Sequence, residues 1–234
     1  IAAMGFAHFS MQLTAGVLNA LLTRQLQRYG GDLAIAAMGI FFSLNMLILM
    51  PIFGINQGAQ PLIGYNYGAR RFDRVKQALR LAIAGATAIV VAGFAVVELF
   101  PAALIGLFSR DSAELMAIGV TALRVCLAAL PIVGFQIVAA SYFQAVGKPR
   151  QAMLLMLSRQ VLLLIPAILI LPRFFGLQGI YYAVPLSDLG SALLTGVWLA
   201  LELRKLGRQH EEQAGAPQTA PAGPPALPRG QLAE

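Results

Sequence analysis

The stretch Asn56–Arg80 reads NQGAQPLIGYNYGARRFDRVKQALR. It continues an apolar run, LNMLILMPIFGI, and passes through Pro61 and the glycines Gly58, Gly64 and Gly68. It ends in five cations, Arg70, Arg71, Arg74, Lys76 and Arg80, with Asp73 the single acid among them. An apolar run of about 20 residues crosses the roughly 30 Å of a bilayer's hydrocarbon, and cations at one end stop it at the head groups. Pro51 and Pro61 each remove a backbone donor and invite a kink. Gly54, Gly58 and Gly64 admit a neighbouring helix or leave room in a cavity. Asn56, Gln57 and Gln60 set amides near the cationic end. The stretch reads as a kinked, cavity-lining membrane helix closed by a basic anchor.

The whole chain has the same character. Of its 234 residues, 58% are hydrophobic and 12% charged, with a mean hydropathy of +0.73. A soluble domain carries about 25% charged residues, so the class is a membrane protein. A net charge of +7 would elsewhere point to nucleic acid. Here the cations sit at the ends of apolar spans, where they set topology and contact anionic lipid, and no nucleic-acid partner is expected.

Six segments are long enough to cross: Ile1–Leu22, Leu33–Ile55 (extending to Ile63), Ala78–Phe100, Leu115–Val138 (extending to Val146), Ala152–Leu171 and Leu177–Leu201. The expected fold is all-α, a six-helix transmembrane bundle over residues 1–208. TRQLQRYGGD, GYNYGARRFDR, FSRDSAE, GKPRQ and PRFFGLQG read as its connectors. Residues 209–234, rich in Pro and Ala, read as a disordered tail. The even-numbered connectors and the end of the last span hold ten cations (Arg70, Arg71, Arg74, Lys76, Arg80, Lys148, Arg150, Arg204, Lys205 and Arg208). The odd-numbered ones hold four, Arg24, Arg28, Arg110 and Arg173. Positive charge marks the cytoplasmic side, so both ends of the chain are expected there. The chain opens at Ile1 inside an apolar run with no basic n-region, which is not a signal peptide and reads as cut at its front. The one cysteine, Cys126, excludes a disulfide framework and reads as a small buried hydrophobe.

The opening stretch closely resembles a signature of the multidrug and toxic compound extrusion (MATE) transporters. It matches at Gln57, Gly58, Gln60, Pro61, Gly64, Asn66, Gly68, Ala69 and Val75. The segment from Ala140 to Asp188 is similar to the fourth-to-sixth helix region of that family's C-terminal lobe, at Phe143, Gln144, Gly147, Pro149, Arg159, Pro166, Leu171, Pro172, Gly176, Gly179, Pro185 and Asp188. NALLTRQLQRYGGDLAIAAMGI resembles the link between the lobe's first two helices. The likeness implies one six-helix lobe, the C-terminal one, of a two-lobe transporter whose halves are parallel repeats. Its missing partner is the N-terminal lobe. It further implies export of amphipathic or cationic compounds across the bacterial inner membrane, by alternating access driven by Na⁺ or H⁺. No cofactor and no resident metal are expected.

Such an exporter needs a cavity with apolar walls and a few polar groups, and a carboxylate whose occupancy biases the two states. The polar candidates are Gln12, Asn19, Asn45, Gln57, Gln136, Tyr142 and Gln144. Gln12 and Asn19, with Gly16 between them, share a helix face, and Gln136 and Gln144 roughly do. Interhelical hydrogen bonding is the competing role for each amide. Met46 and Met50 could line an adaptable wall or simply pack.

Asp188, near mid-depth in the last span, is either a coupling site or one half of a structural pair with Arg159, which lies at similar depth on the preceding helix. Glu98 is expected to be solvated at the outer boundary. Arg124 is expected to reach outward or face the cavity mouth. His8 reads as a polar contact. The helices that carry acids in some branches of the family have none here, so the main coupling carboxylate is expected in the other lobe. A lipid-linked oligosaccharide flippase would want a cationic cavity, and only Arg124 and Arg159 are intramembrane. A non-transporting remnant is the other alternative. No catalytic constellation is present and no enzyme is expected.

Overall fold

The computed structural model describes the backbone of residues 2–108 and 112–215, and the side chains of residues 12–108 and 112–204. His8 therefore lies outside the described side chains. All regular elements among the described residues are helical. They are α1 (Ala2–Gly68), α2 (Phe72–Leu99), the short α3 (Pro101–Gly106), α4 (Ala113–Cys126), α5 (Leu130–Ala145), α6 (Pro149–Leu157), a π-helical segment (Ser158–Leu164), α7 (Ile165–Phe175) and α8 (Leu177–Gly215).

α1 is two helices joined without a loop. Its backbone leaves helical geometry only at Gly31, with φ 64° and ψ −159°, a region that glycine enters without steric cost. Leu18, Asn19 and Leu22 from the first arm (2–30) meet Met38, Phe41 and Asn45 from the second arm (32–68) around one cavity. In a straight helix Asn19 and Asn45 would stand about 39 Å apart, so the arms fold back on each other. The expected ten-residue connector Thr23–Asp32 is thus helix apart from Gly31. Its polar residues sit on turns that continue past the apolar span.

The kinks expected at Pro51 and Pro61 do not break the helix. Both prolines lie within the second arm with helical backbone. The connector expected from Gly64 also shrinks, because α1 stays helical to Gly68. Arg70 ends it in the left-handed region at φ 55°. The Arg70 N–H donates to the Tyr67 carbonyl at 3.1 Å and the Arg71 N–H to the Asn66 carbonyl at 2.9 Å, the bond pair of a Schellman cap.

Among the described residues, four helical stretches are each long and apolar enough to cross a membrane: Gln12–Gly68, Phe72–Leu99, Pro149–Phe175 and Leu177–Arg204. α4 and α5, bent by 49° at their junction, add a fifth, and the fold-back at Gly31 divides the first in two, giving six passes. The fourth pass, read from sequence as one span, is therefore broken. Pro131 in the first turn of α5 cannot donate to a preceding turn. The last helix continues to Gly215, so residues 209–215 of the expected tail are helical, and 216–234 lie outside the described residues.

Close approaches of glycine fix the packing. A Cβ on Gly134 of α5 would lie 3.1 Å from the Ala86 carbonyl oxygen of α2, and one on Gly64 would lie 3.1 Å from the Ala145 carbonyl oxygen of α5. The latter contact sets the turns after α1 and α5 at one end of the bundle. Lys148, just past the α5 turn, pairs there with Glu202 of α8. The core is filled by Tyr142, Phe143, Tyr181 and Met38. Outside it, large apolar side chains such as Leu193 (72% exposed) and Phe174 (78% exposed) face outward. A water-exposed surface would not carry such a patch. The chain is a multi-pass membrane protein.

Gly179 is the sharpest test of this packing. A Cβ there would sit 2.5 Å from the Leu171 backbone carbonyl, whereas one on Gly58 would meet nothing within 4 Å. Gly179→Val is expected to destabilise the protein by about 1–3 kcal/mol through overpacking. Gly58→Ala should leave stability unchanged or raise it by up to about 1 kcal/mol. Thermal unfolding in detergent checks the order, and equal melting of the two variants would refute the close approach.

Candidate functional site

The last membrane helix reads SDLGSALLT from Ser187 to Thr195. Asp188, Ser191 and Thr195 fall at i, i+3 and i+7, and Ser187 adjoins them, so one stripe of an otherwise apolar helix is polar. All four are buried. In hydrocarbon such groups must find partners inside the protein. The Gln136 Nε2 of α5 donates to Ser191 Oγ at 2.6 Å, and Ser187 Oγ donates to the Val184 carbonyl at 2.7 Å. Asp188, 4% exposed, takes Arg159, whose Nε stands 2.8 Å from Oδ1. Arg159 lies within the π-helical segment, a rare wide turn that recurs at functional positions.

This ion pair stands between two cavities. The first, of about 100 Å³, lies among both arms of α1, the α4–α5 junction, the π segment, α7 and α8, and is lined by Asn19, Asn45, Phe41, Phe42, Arg159 and Asp188 among others. The second, of about 210 Å³, is lined by Phe53, Gln136, Met156, Arg159, Gln160 and Thr195, with other apolar residues. Gln136 Oε1 and Thr195 Oγ1, both on its wall, have no hydrogen-bond partner among the described residues. Arg159 is common to both cavities. Sites for drug-sized ligands measure roughly 300–1,000 Å³, so neither cavity holds such a molecule. Each is large enough for water, which needs about 10–15 Å³ and two or more polar partners.

The chain is related to known proteins over most of this fold. The MatE family model matches residues 8–169. The chain belongs to the MatE family. This MatE chain is 30% identical over 192 residues to the multidrug export protein MepA of Staphylococcus saprophyticus, covering 81% of this chain and 41% of that protein. It is 29% identical over 185 residues to MepA of Staphylococcus aureus, covering 79% and 40%. Among solved structures, the MATE multidrug transporter DinF-BH in complex with a dye matches at 38% identity with a TM-score of 0.73, over 84% of this chain and 44% of that one. An outward-facing MATE family transporter of the MOP superfamily shares the fold, with a TM-score of 0.79 at 22% identity over 87% and 46%. The chain thus spans less than half the length of these relatives. Members of the family are transporters, not enzymes.

The sequence candidates of this MatE chain divide in two. Gln12, Asn19, Gln57 and Gln144 are exposed on the lobe and Asn45 is half-buried. Gly16, between Gln12 and Asn19, has nothing within 4 Å of a built Cβ, so that face is open. Gln136 and Tyr142 are instead buried. Gln136 ties α5 to α8, and the Tyr142 ring packs edge-on to Phe143 with centroids 5.4 Å apart. Gln136 and Gln144 do not share a face, because eight residues at 3.6 per turn leave them about 80° apart. Met46 and Met50 are exposed on the lobe surface.

The signature residues are used in different ways. Gln57, Gly58 and Pro61 are exposed and Gln60 is half-buried. Gly64 receives α5, the Asn66 Nδ2 donates back to the Leu62 carbonyl at 2.8 Å, and Gly68 is the last helical residue. Glu98 is not simply solvated. It pairs with Arg124 at 3.4 Å, and both remain about half exposed, an arrangement worth about 0–1 kcal/mol. The Cys126 thiol is buried and donates to the Tyr181 carbonyl at 3.7 Å.

Two features escaped the sequence reading. One is the full polar stripe of α8, whose i, i+3, i+7 spacing was a readable signal. The other is the Lys148–Glu202 pair. Glu202 in LALELRK lies at the same end as the cations after α5, and that shared depth was the available clue.

Removing one partner of a fully buried ion pair costs about 3–5 kcal/mol. Asp188 is buried but Arg159 is about a third exposed, so the cost here is smaller. Asp188→Asn and Arg159→Gln are therefore expected to lower thermal stability to similar degrees, and the double change to Leu and Met to recover part of the loss. Wild-type melting of both single variants would remove the pair from its structural role.

Proposed function

We propose that this MatE chain is the C-terminal lobe of a two-lobe multidrug exporter in the bacterial inner membrane. Both ends of the lobe lie in the cytoplasm. The exporter moves amphipathic, often cationic compounds outward by alternating access, in exchange for Na⁺ or H⁺. The observation that carries this reading is the open face of α1. Gln12, Gly16 and Asn19 on one arm and Gln57, Gly58 and Pro61 on the other are uncovered.

Amides facing lipid tails would have no partners. Facing a second lobe across a water-filled cavity, they bind water or substrate. The interior cavities, at about 100 and 210 Å³, are too small for a drug, which supports a substrate site between lobes. The likeness of the signature to the second lobe supports the C-terminal assignment. The gathering of Arg70, Arg71, Lys148 and Arg204 towards one end of the bundle supports the orientation.

Asp188 serves in this account as the anchor of Arg159, and the small cavity beside the pair is where a coupling ion or proton would exert its effect within this lobe. The main coupling carboxylate is assigned to the partner lobe, since the first arm of α1 and α5 contain no Asp or Glu. Pairing of Arg124 with Glu98 and of Arg159 with Asp188 leaves no free intramembrane cation among the described residues for a diphosphate, which weighs against a lipid-linked oligosaccharide flippase.

Ethidium accumulation tests the proposal. Cells expressing the intact native protein are expected to hold several-fold less dye than cells without it. Gln57→Leu is expected to return the dye towards the control level at unchanged protein abundance. Omitting Na⁺ and adding a protonophore, in separate arms, identify the ion. Equal dye with and without the protein would overturn export.

A further inference from the structure

We propose that the groove between the second arm of α1 and α2 binds one anionic phospholipid. Two stripes face each other there, each spaced i, i+4, i+7: Ile55, Ala59 and Leu62 on α1, and Arg74, Ala78 and Leu81 on α2. The helices run antiparallel through the turn at 69–71, so Leu62 stands opposite the Arg74 end and Ile55 opposite Leu81. The groove, of about 630 Å³, is therefore cationic at the turn and apolar below it.

That gradient matches an amphiphile. Arg74 and the Gln77 amide line the upper part, and the exposed Arg70 and Arg71 lie in the turn above. A guanidinium fork suits phosphate geometry, and Gln77 adds a neutral donor for phosphate or glycerol oxygens. Below Arg74 the wall runs about 10 Å to Leu81, from head-group level into the first turn of the apolar span that opens at Ala78. The upper part of one acyl chain fits such a wall. Lipid tails are as apolar as leucine, so the wall alone gives no preference among lipids. Selectivity comes from the anionic head at Arg74. Asp73, the acid of this segment, does not line the groove.

Native mass spectrometry of the purified protein with equimolar phosphatidylglycerol and phosphatidylcholine tests the site. The wild type is expected to retain one phosphatidylglycerol with about fivefold preference, the effect of one cation near an anionic head group. Arg74→Gln is expected to bring the preference near parity. Arg80→Gln removes the same charge from the same helix but outside the groove, and is expected to leave the preference unchanged. Ala78→Trp fills the groove without altering charge and is expected to lose the lipid, and Leu62→Trp repeats this from the opposite wall should Ala78→Trp unfold. Equal losses in Arg74→Gln and Arg80→Gln would show diffuse attraction and overturn the proposal. So would full retention in a folded tryptophan variant, or no preference in the wild type.

Discussion

Inside a bilayer a backbone N–H or carbonyl has no water to bond, and a charge has none to solvate it. The architecture of this lobe follows from that constraint. The chain turns back within α1 at a single glycine, Gly31, and exposes no loop backbone there. The turns after α1 and α5 close with capped carbonyls. Glycines let α2, α5, α7 and α8 approach until backbone nearly touches backbone. The deepest acid, Asp188, sits against Arg159, and the stripe of hydroxyls on α8 faces inward, with Ser191 held by Gln136.

The same constraint separates what is structural from what is free to act. Polar groups already partnered within the lobe, such as Gln136 and Ser187, hold helices together. Polar groups left uncovered on α1 have no such role, and in our account they meet substrate across a second lobe. Cavity size sharpens the division, since the spaces within the lobe suit water or a small ion, and in our account the drug site falls between the lobes. Arg159 borders both interior cavities while holding Asp188. A change in that contact would reach α8 and the π segment together.

Much of this was readable from sequence. Apolar length and the cationic stops expose the six passes, because hydrocarbon thickness and charge cost act on composition directly. The depth argument that brought Arg159 near Asp188 needed only helix rise and antiparallel order. Boundaries were less legible, since helices here continue past the bilayer into polar sequence. Arg24, Gln25 and Arg28 look like loop and are helix, as are Asn66 and Gly68. The bend before Pro131 and the π segment leave no periodic trace, because both depend on tertiary packing. The face shared by Gln136 and Gln144 failed on arithmetic, as eight residues overshoot two turns. Glu98 and Arg124 found each other across two different helices, which spacing within one span cannot show.

The central claim is that the polar face of α1 lines a water-filled substrate cavity. Labelling by a membrane-impermeant maleimide tests it most directly. Cys126, the one cysteine of this chain's sequence, and any cysteine of the other lobe are replaced by Ala to give a clean background. Single cysteines are then placed at Asn19, Gln57 and the outward-facing Leu193 of the native protein in its membrane. The account predicts that the first two are labelled, that ethidium slows both reactions, and that the third is not labelled. Labelling at Leu193 equal to that at Asn19 and Gln57, or no labelling at either α1 position, would contradict it.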